Sequence, residues 1–371
     1  NKELTKNNLS IKNMGGIDAQ SIAGLAATGT HGSSINHGTI SDDIESLRVM
    51  TSQGKIINVK KGDKEFSSFK LSLGSLGIVL SLVINCTKLF YIDSETSDAN
   101  ISWKNLSDKK LYNLLKRNYF LQILIDPHTE KMLFTKRKKV NLSEISKFKR
   151  KIILPVISSF QLFKEVLGLY FTEYLILRIL KYFPNRTESV SKLSFRMVKE
   201  KNLDIGYRAL TIGRNDIHGI YVNKTFHDQE YAIPIKNTKK AIETILKIFK
   251  TQNNLPLMIA LRFVQKSDAL LGPSYGRDTC YIDLLIFDKD FSKWKEFVEN
   301  VEKELYKFNA RPHWGKHNFL SYQKIKDNNL YPQIDEFRKV KLKYDPNNMF
   351  SNEMINKCLR LRKLSFSNPK P

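Results

Sequence analysis

The sequence predicts an α+β fold, and three observations carry the prediction. Residues 1–95 read as β-rich, with apolar runs broken by tight-turn residues. Between 230 and 308, strand and helix patterns follow one another as strand, helix, strand, helix, which suits helices packed against an antiparallel sheet. The chain has 371 residues, 41% of them hydrophobic and 22 of them Phe, enough for a large core and two lobes.

The elements follow in order. "SLRVMTS" and "KIINVKK" flank Gln53-Gly54 and read as a hairpin. "GIVLSLVINCTKLFYI" reads as one long apolar strand entered through glycine, with Gly74 and Gly77 just upstream. "DKKLYNLLKRN" reads as a short amphipathic helix, then "YFLQILID" and "EKMLFTKRKKV" as strands. Asn237-Thr238 reads as the cap of the helix "KKAIETILKIFK". "LMIALRFV" and "CYIDLLIF" alternate as strands, and "KDFSKWKEFVENVEKELYKF" is an amphipathic helix. No repeat or low-complexity linker is evident, and the basic tail after 358 reads as frayed.

The formal net charge is +24. Such a charge attracts anions, nucleic acid or an anionic membrane. Lys is spread over all segments, so most of the excess reads as compositional drift. No helix-turn-helix, zinc finger or RNA-binding aromatic signature appears, so no specific nucleic-acid partner is expected. Cys86, Cys280 and Cys358 are an odd, scattered set, which argues against a disulfide framework and for a reducing compartment. His31, His37, His218, His227 and His317 show no metal-ligand spacing, and no metal is expected. Basic residues crowd from Lys131 to Lys151, before an aromatic, apolar stretch at 152–183. Lys164, Glu165, Glu173 and Arg178 interrupt that stretch, so it is no spanning helix. It reads either as cap helices or as an interfacial segment in peripheral contact with an anionic membrane. The expected location is the cytoplasm or the cytoplasmic face of a membrane.

The stretch 17–34, "IDAQSIAGLAATGTHGSS", holds three Gly, two Thr, three Ser and four Ala with one His and one charge. Small residues let backbone approach a flat, polar ligand closely, and consecutive N–H groups can form an anion nest. The run fits neither Gly-x-Gly-x-x-Gly nor the Lys-containing phosphate loop. A surface loop is the plainer alternative.

This run, with "SLGSLGIVLSLVINC" at 72–86, "EYAIP" at 230–234, "GPSYGRDT" at 272–279, "RPHWGK" at 311–316 and "DPNNMFSNE" at 345–353, resembles the aldonolactone oxidases. These are L-gulonolactone oxidase, D-arabinono-1,4-lactone oxidase and alditol oxidase, in the vanillyl-alcohol-oxidase superfamily. The motifs fall in family order, and only 92–229 matches loosely. The resemblance implies the C-terminal half of a vanillyl-alcohol-oxidase-type FAD domain at 1–95 and an α+β cap with an antiparallel sheet at 96–310. A C-terminal arm at the flavin–cap interface spans 311–360, and 361–371 is a tail. In the family about a quarter of the FAD domain precedes "IDAQSIAG" and grips the pyrophosphate. The chain is therefore expected to be a fragment or a truncated relic.

The resemblance further implies FAD as cofactor, contacted by Ser21, Gly24, Ala26, Gly29, Thr30, His31, Gly32, Ser33, Ser34, Asn36, Gly77, Ile78 and His313. It implies Arg262 and Lys316 as catalytic residues acting on the hydroxyl of a sugar lactone or polyol. Reoxidation would use O₂ or a cytochrome or quinone. Fixed positive charge near the flavin stabilises its reduced anionic form. Lys316, its pKa lowered by neighbouring Arg, is expected as a base, with water the alternative. The family motif is commonly Glu-x-Arg, but here the acid position is Ala260. That departure implies lactones rather than open-chain polyols as substrates. It also leaves open a non-catalytic relative or a basic membrane- or nucleic-acid-binding protein.

Overall fold

The hairpin forms as its sequence requires. In a computed structural model, β1 (Ile44–Met50) and β2 (Ile56–Lys60) pair antiparallel, and β3 (Ile78–Ile84) covers the other edge of β1. Gly54 takes φ +76° in the turn, which suits glycine. The structure describes residues 1–16, 20–146, 177–197, 200–210, 227–252, 255–288 and 290–361.

The long strand expected from Gly77 onward is divided. β3 ends at Ile84, Thr87–Lys88 pairs with Leu9–Ser10, and β4 (Phe90–Asp98) joins a different sheet. Both sheets bury one face, so one continuous apolar run serves both, and hydropathy does not mark the crossing. The cap sheet therefore begins at Phe90, inside the segment expected to belong to the first lobe.

That sheet has eight strands. Besides β4 they are β5 (Phe120–Asp126), β6 (Lys131–Asn141), β7 (Glu200–Ile205), β8 (His227–Pro234), β9 (Leu257–Val264), β10 (Thr279–Ile286) and β11 (Arg311–Pro312). They lie in the order β11-β8-β10-β9-β5-β6-β4-β7, every pair antiparallel. The short helix α1 (Ile22–Thr28) precedes it all. Next come α2 (Asp108–Arg117), α3 (Thr187–Met197), α4 (Thr238–Phe249) and α5 (Lys295–Leu305). Ser107 caps α2 by accepting from Lys110 N. α4 starts at Thr238 as expected, but the Asn237 side chain donates to Phe308 O and leaves the cap unmade.

One face of the sheet is the main core. Ile123, Ile125, Ile259, Leu261, Ile282 and Leu284 pack on Ile242 and Ile245 of α4 and on Phe297, Val298 and Val301 of α5. Side chains alternate along a strand, so Glu230, Arg262, Tyr281 and Asp283 are turned to the opposite face. A second core joins the three-stranded sheet to the C-terminal helices α6 (Tyr322–Asp327), α7 (Ile334–Tyr344) and α8 (Glu353–Leu359). Within "DPNNMFSNE", Asp345 accepts from Met349 N and Phe350 N at 2.8 Å and pairs with buried Lys341, so that motif builds a turn.

The two lobes meet at Ser33. Continuing the β9–β5 register past Leu261–Ile123 would set Phe263 opposite Leu121. Ser33 occupies that place instead. Its carbonyl accepts from Leu121 N at 3.0 Å, and its hydroxyl donates to Leu121 O and accepts from Phe263 N at 3.2 Å. Ser34 bridges Val264, and Gln265 N donates to His37 O at 2.9 Å. His37, expected as a surface residue, is half-buried and bonded to Tyr119 Oη at 2.8 Å.

The apolar stretch expected at 152–183 falls largely outside the described residues, as does the tail from 362. Among the described residues no helix is long and apolar enough to cross a membrane.

Ser33→Ala should lower the unfolding free energy by about 1–3 kcal/mol, because it strands a buried amide and a buried carbonyl. Urea unfolding followed by tryptophan fluorescence measures this. A loss under about 0.5 kcal/mol, the usual surface value, would refute the junction's role.

Candidate active site

On the face turned from the main core, β8, β10 and β9 place their residues in rows. Glu230, Asp283 and Ala260 stand in one row, and Ala232, Tyr281 and Arg262 in the next. Arg262 serves both carboxylates of the first row. Its Nη1 donates to Glu230 Oε1 at 3.1 Å, and its Nη2 lies 3.2 Å from Asp283 Oδ2. The Arg262 side chain is 18% exposed, while Glu230 and Asp283 are 2% and 1%. Arg262 is thus the member of the cluster that reaches a cleft, lined also by His31, Gly32, Ser33, Gln122 and Arg137.

The loop fixed by Ser33 brings His31 down on this row. Its ring stacks on Tyr281 with centroids 3.6 Å apart. Nδ1 donates to Gly32 O at 2.9 Å, and Nε2 faces Glu230 Oε1 at 3.3 Å. A carbonyl only accepts, so Nδ1 carries a proton. His313 holds the opposite arrangement. Its Nδ1 accepts from Gly315 N at 3.1 Å, which leaves Nε2–H facing Gly29 O at 3.4 Å. Burial pushes the His313 imidazole down to about 4, so it is neutral at physiological pH.

The charges sort themselves by these contacts. Burial opposes ionisation of Glu230, but His31, Arg262 and His313 outweigh it and hold its carboxyl well below the usual carboxylate range. Burial pushes Asp283 up to about 6, reinforced by Glu230 and Asp228 and opposed by Lys316 and Arg262. Lys316 pairs with Asp228. Burial would lower the Lys316 ammonium, yet Asp283, Glu230 and Asp228 raise it. The expectation of Lys316 as a base with a lowered pKa is therefore corrected: carboxylates surround it and fix it as a cation.

Other expected contacts sort into two groups. The segments around 21–36 and 74–79 lie side by side, since Leu73 N donates to Ala27 O at 2.9 Å. His313 joins them through Gly29. Ser21 caps α1 by accepting from Gly24 N, Gly29 closes it at φ +73°, and both Gly24 and Asn36 are exposed. Thr30 sits half-buried in the loop, with its carbonyl accepting from Ile40 N. Ala26 instead lies in the second core, and Ser33 and Ser34 are engaged by the sheet. Gly32 and Gly77 answer to packing. A Cβ on Gly32 would stand 1.9 Å from Asn13 Oδ1, and one on Gly77 2.4 Å from Met50 O. Ile78 is 52% exposed at the start of an edge strand.

Sequence reasoning missed Glu230, Asp283 and Asp228. The available signal was two carboxylates in the strand "HDQEYAIP" and one inside the apolar strand "TCYIDLLI". It also missed that His31, His313 and Glu230 converge, with ligand atoms within 4.8 Å of one another. Both His313 nitrogens are engaged by Gly29 and Gly315, and Glu230 by Arg262. Ala260 packs with Leu124, Leu133 and Phe195 of α3, an apolar surrounding for the position expected to carry an acid.

These residues fit a flavin. The small-residue loop, the adjoining 72–77 turn and neutral His313 would hold the ring system and its tail. Arg262 and Lys316 would place positive charge where reduction builds negative charge.

Comparison with known proteins supports FAD as the cofactor. Residues 1–60 match the profile of the FAD binding domain, and residues 84–358 match that of D-arabinono-1,4-lactone oxidase. L-gulono-1,4-lactone dehydrogenase of Mycobacterium tuberculosis (strain ATCC 25618 / H37Rv) is 26% identical over 363 residues, covering 96% of this chain and 78% of that protein. L-gulonolactone oxidase of Scyliorhinus torazame is 26% identical over 366 residues, with the same coverage of 96% and 78%. Among solved structures, cholesterol oxidase from Brevibacterium sterolicum superposes with a TM-score of 0.69 at 14% identity, over 96% of this chain and 78% of that one, and shares the fold. With three-quarters of its length under one family profile and an FAD-binding segment before it, the chain belongs to the D-arabinono-1,4-lactone oxidase family.

Proposed function

We propose that this chain oxidises a secondary hydroxyl of an aldono-1,4-lactone of the L-gulono or D-arabinono type, with FAD as cofactor. The observation that carries the reading is Arg262, a guanidinium beside two buried carboxylates whose side chain is 18% exposed and lines the cleft. FAD, when bound, supplies the acceptor for the hydride leaving the carbinol carbon. Arg262 donates hydrogen bonds to the lactone oxygens and orients that carbon. Lys316, kept cationic by Asp228, Asp283 and Glu230, adds positive charge beside the reacting oxygen. As a cation it donates and does not accept, so the hydroxyl proton leaves to water. The final acceptor is O₂ or a cytochrome or quinone, and relatives carry both the name oxidase and the name dehydrogenase.

A lactone ring presents its hydroxyls in fixed geometry, whereas an open polyol loses rotameric freedom on binding. With Ala260 at the acid position, FAD-loaded protein should be bleached anaerobically by aldonolactones faster than by alditols. Equal bleaching by both would refute the lactone preference, and bleaching by neither would support a non-catalytic relative.

Arg262→Ala would leave Glu230 and Asp283 without their shared cation, at a cost of about 3–5 kcal/mol in stability. Arg262→Lys is the cleaner probe, since it keeps one charge but loses the fork. It should retain FAD and slow flavin reduction about 10- to 100-fold, the value of one charged hydrogen bond of about 1.5–3 kcal/mol. Unchanged reduction in stopped flow would remove Arg262 from the site.

A further inference from the structure

Asp283 enters the steps above only as a charge beside Arg262 and Lys316, yet it is a buried carboxylate on the active face. It stands directly across β10–β9 from Ala260 and directly across β8–β10 from Glu230. Its only ion pair among the described residues is with Arg262, 3.2 Å from Nη2, and neither of its oxygens has a hydrogen-bond partner of good geometry. A carboxylate left this bare in a protein interior is expensive unless its charge is used. Ala260, with only a methyl group, leaves the row to Asp283.

We propose that Asp283 is the positioning carboxylate for Arg262, supplying from the neighbouring strand the acid that position 260 lacks. This rests on the lactone reading above. Glu230 alone would hold Arg262 by Nη1 and leave the guanidinium plane free to turn. Asp283, ion-paired with Nη2, draws that end of the guanidinium to its own strand and biases the plane, so the remaining N–H groups meet the substrate in a preferred orientation.

The pair is pH-sensitive. The charged groups facing Asp283 are Arg262 on β9, Glu230 and Asp228 on β8, and Lys316 beyond β11. Burial and the two carboxylates push Asp283 up to about 6, against the two cations. Below that value Asp283 is neutral and its hold on Arg262 weakens. Above it the second anchor is charged. Substrate-dependent reduction should therefore rise as pH climbs through about 6, in step with Asp283 ionisation.

The test uses FAD-loaded protein, with L-gulono-1,4-lactone as the probe in anaerobic stopped flow across pH 5–8. Asp283→Asn keeps size but cannot ionise. It should retain FAD, reduce about tenfold more slowly at pH 8, and lose the rise through pH 6. Ala260→Glu/Asp283→Asn restores a carboxylate to the same row and should recover most of the rate without the same pH step. The second readout needs no turnover. Infrared titration should show a protonated-carboxyl band with a midpoint near pH 6 that vanishes in Asp283→Asn. An Asp283→Asn protein with the wild-type rate and pH profile overturns the proposal, and so does a band the substitution leaves unchanged. Wild-type flavin that no lactone reduces refutes the lactone reading alone, and the infrared band still decides for Asp283.

Discussion

Ser33 is the junction on which the site depends. Three hydrogen bonds from one residue fill the gap between β5 and β9, where the strands would otherwise pair with each other. A sheet of this size gains nothing from ending a ladder early unless another backbone takes over the freed groups. The loop of the first lobe does so, and its path is then set. His31 has nowhere to go but onto Tyr281 and Glu230, and Gly32 must be glycine because Asn13 and Met14 press on it from behind. The same few residues that join the lobes thus place the loop over the active face.

The second constraint is electrostatic. Glu230, Asp283 and Asp228 lie on neighbouring strands of one face, the first two buried and the third half-buried, and buried acid is tolerable only with cations beside it. Arg262 and Lys316 supply them, each aimed at carboxylates that raise its pKa. The outcome is an ordered series of charges. Glu230 is held ionised, Asp283 is poised near neutrality, and His313 is neutral beside the loop. Arg277 and Arg311 show the contrasting case. Both are pushed down by burial, Arg277 to about 9, and they bond backbone carbonyls behind Tyr281. They brace the "GPSYGRDT" and "RPHWGK" loops rather than face the cleft, and Trp314 does the same through its bond to Leu271 O at 2.7 Å.

Much of this was legible in the residues. The hairpin at 44–60, the helix after Ser107 and the helix at 295–305 follow from periodicity, because each buries one face, and the strands "LMIALRFV" and "CYIDLLIF" form where the sequence reads as strand although both of their faces are largely buried. Arg262 and Lys316 were singled out, and the structure does bring them to one cluster. The run from Gly77 misled, since apolar residues on both sides of Ile84 serve different sheets. Lys316 misled in the other direction. Its sequence neighbours are basic, but its spatial neighbours are Asp228 and Asp283 on strands far away in the chain.

What the sequence by itself determined is the α+β class, the alternation that gives each strand a core face, and the ordered motifs that mark a flavoprotein family. Those are properties of local period and composition, and they survive any arrangement of the elements. Only the tertiary structure decided which side chains share a row. Strand order and register put Asp283 between Glu230 and Ala260, and no local pattern encodes a pairing between residues fifty positions apart. The protonation states follow the same rule. A carboxyl takes its pKa from the charges around it and from its depth, and both exist only once the sheet has closed over the loop.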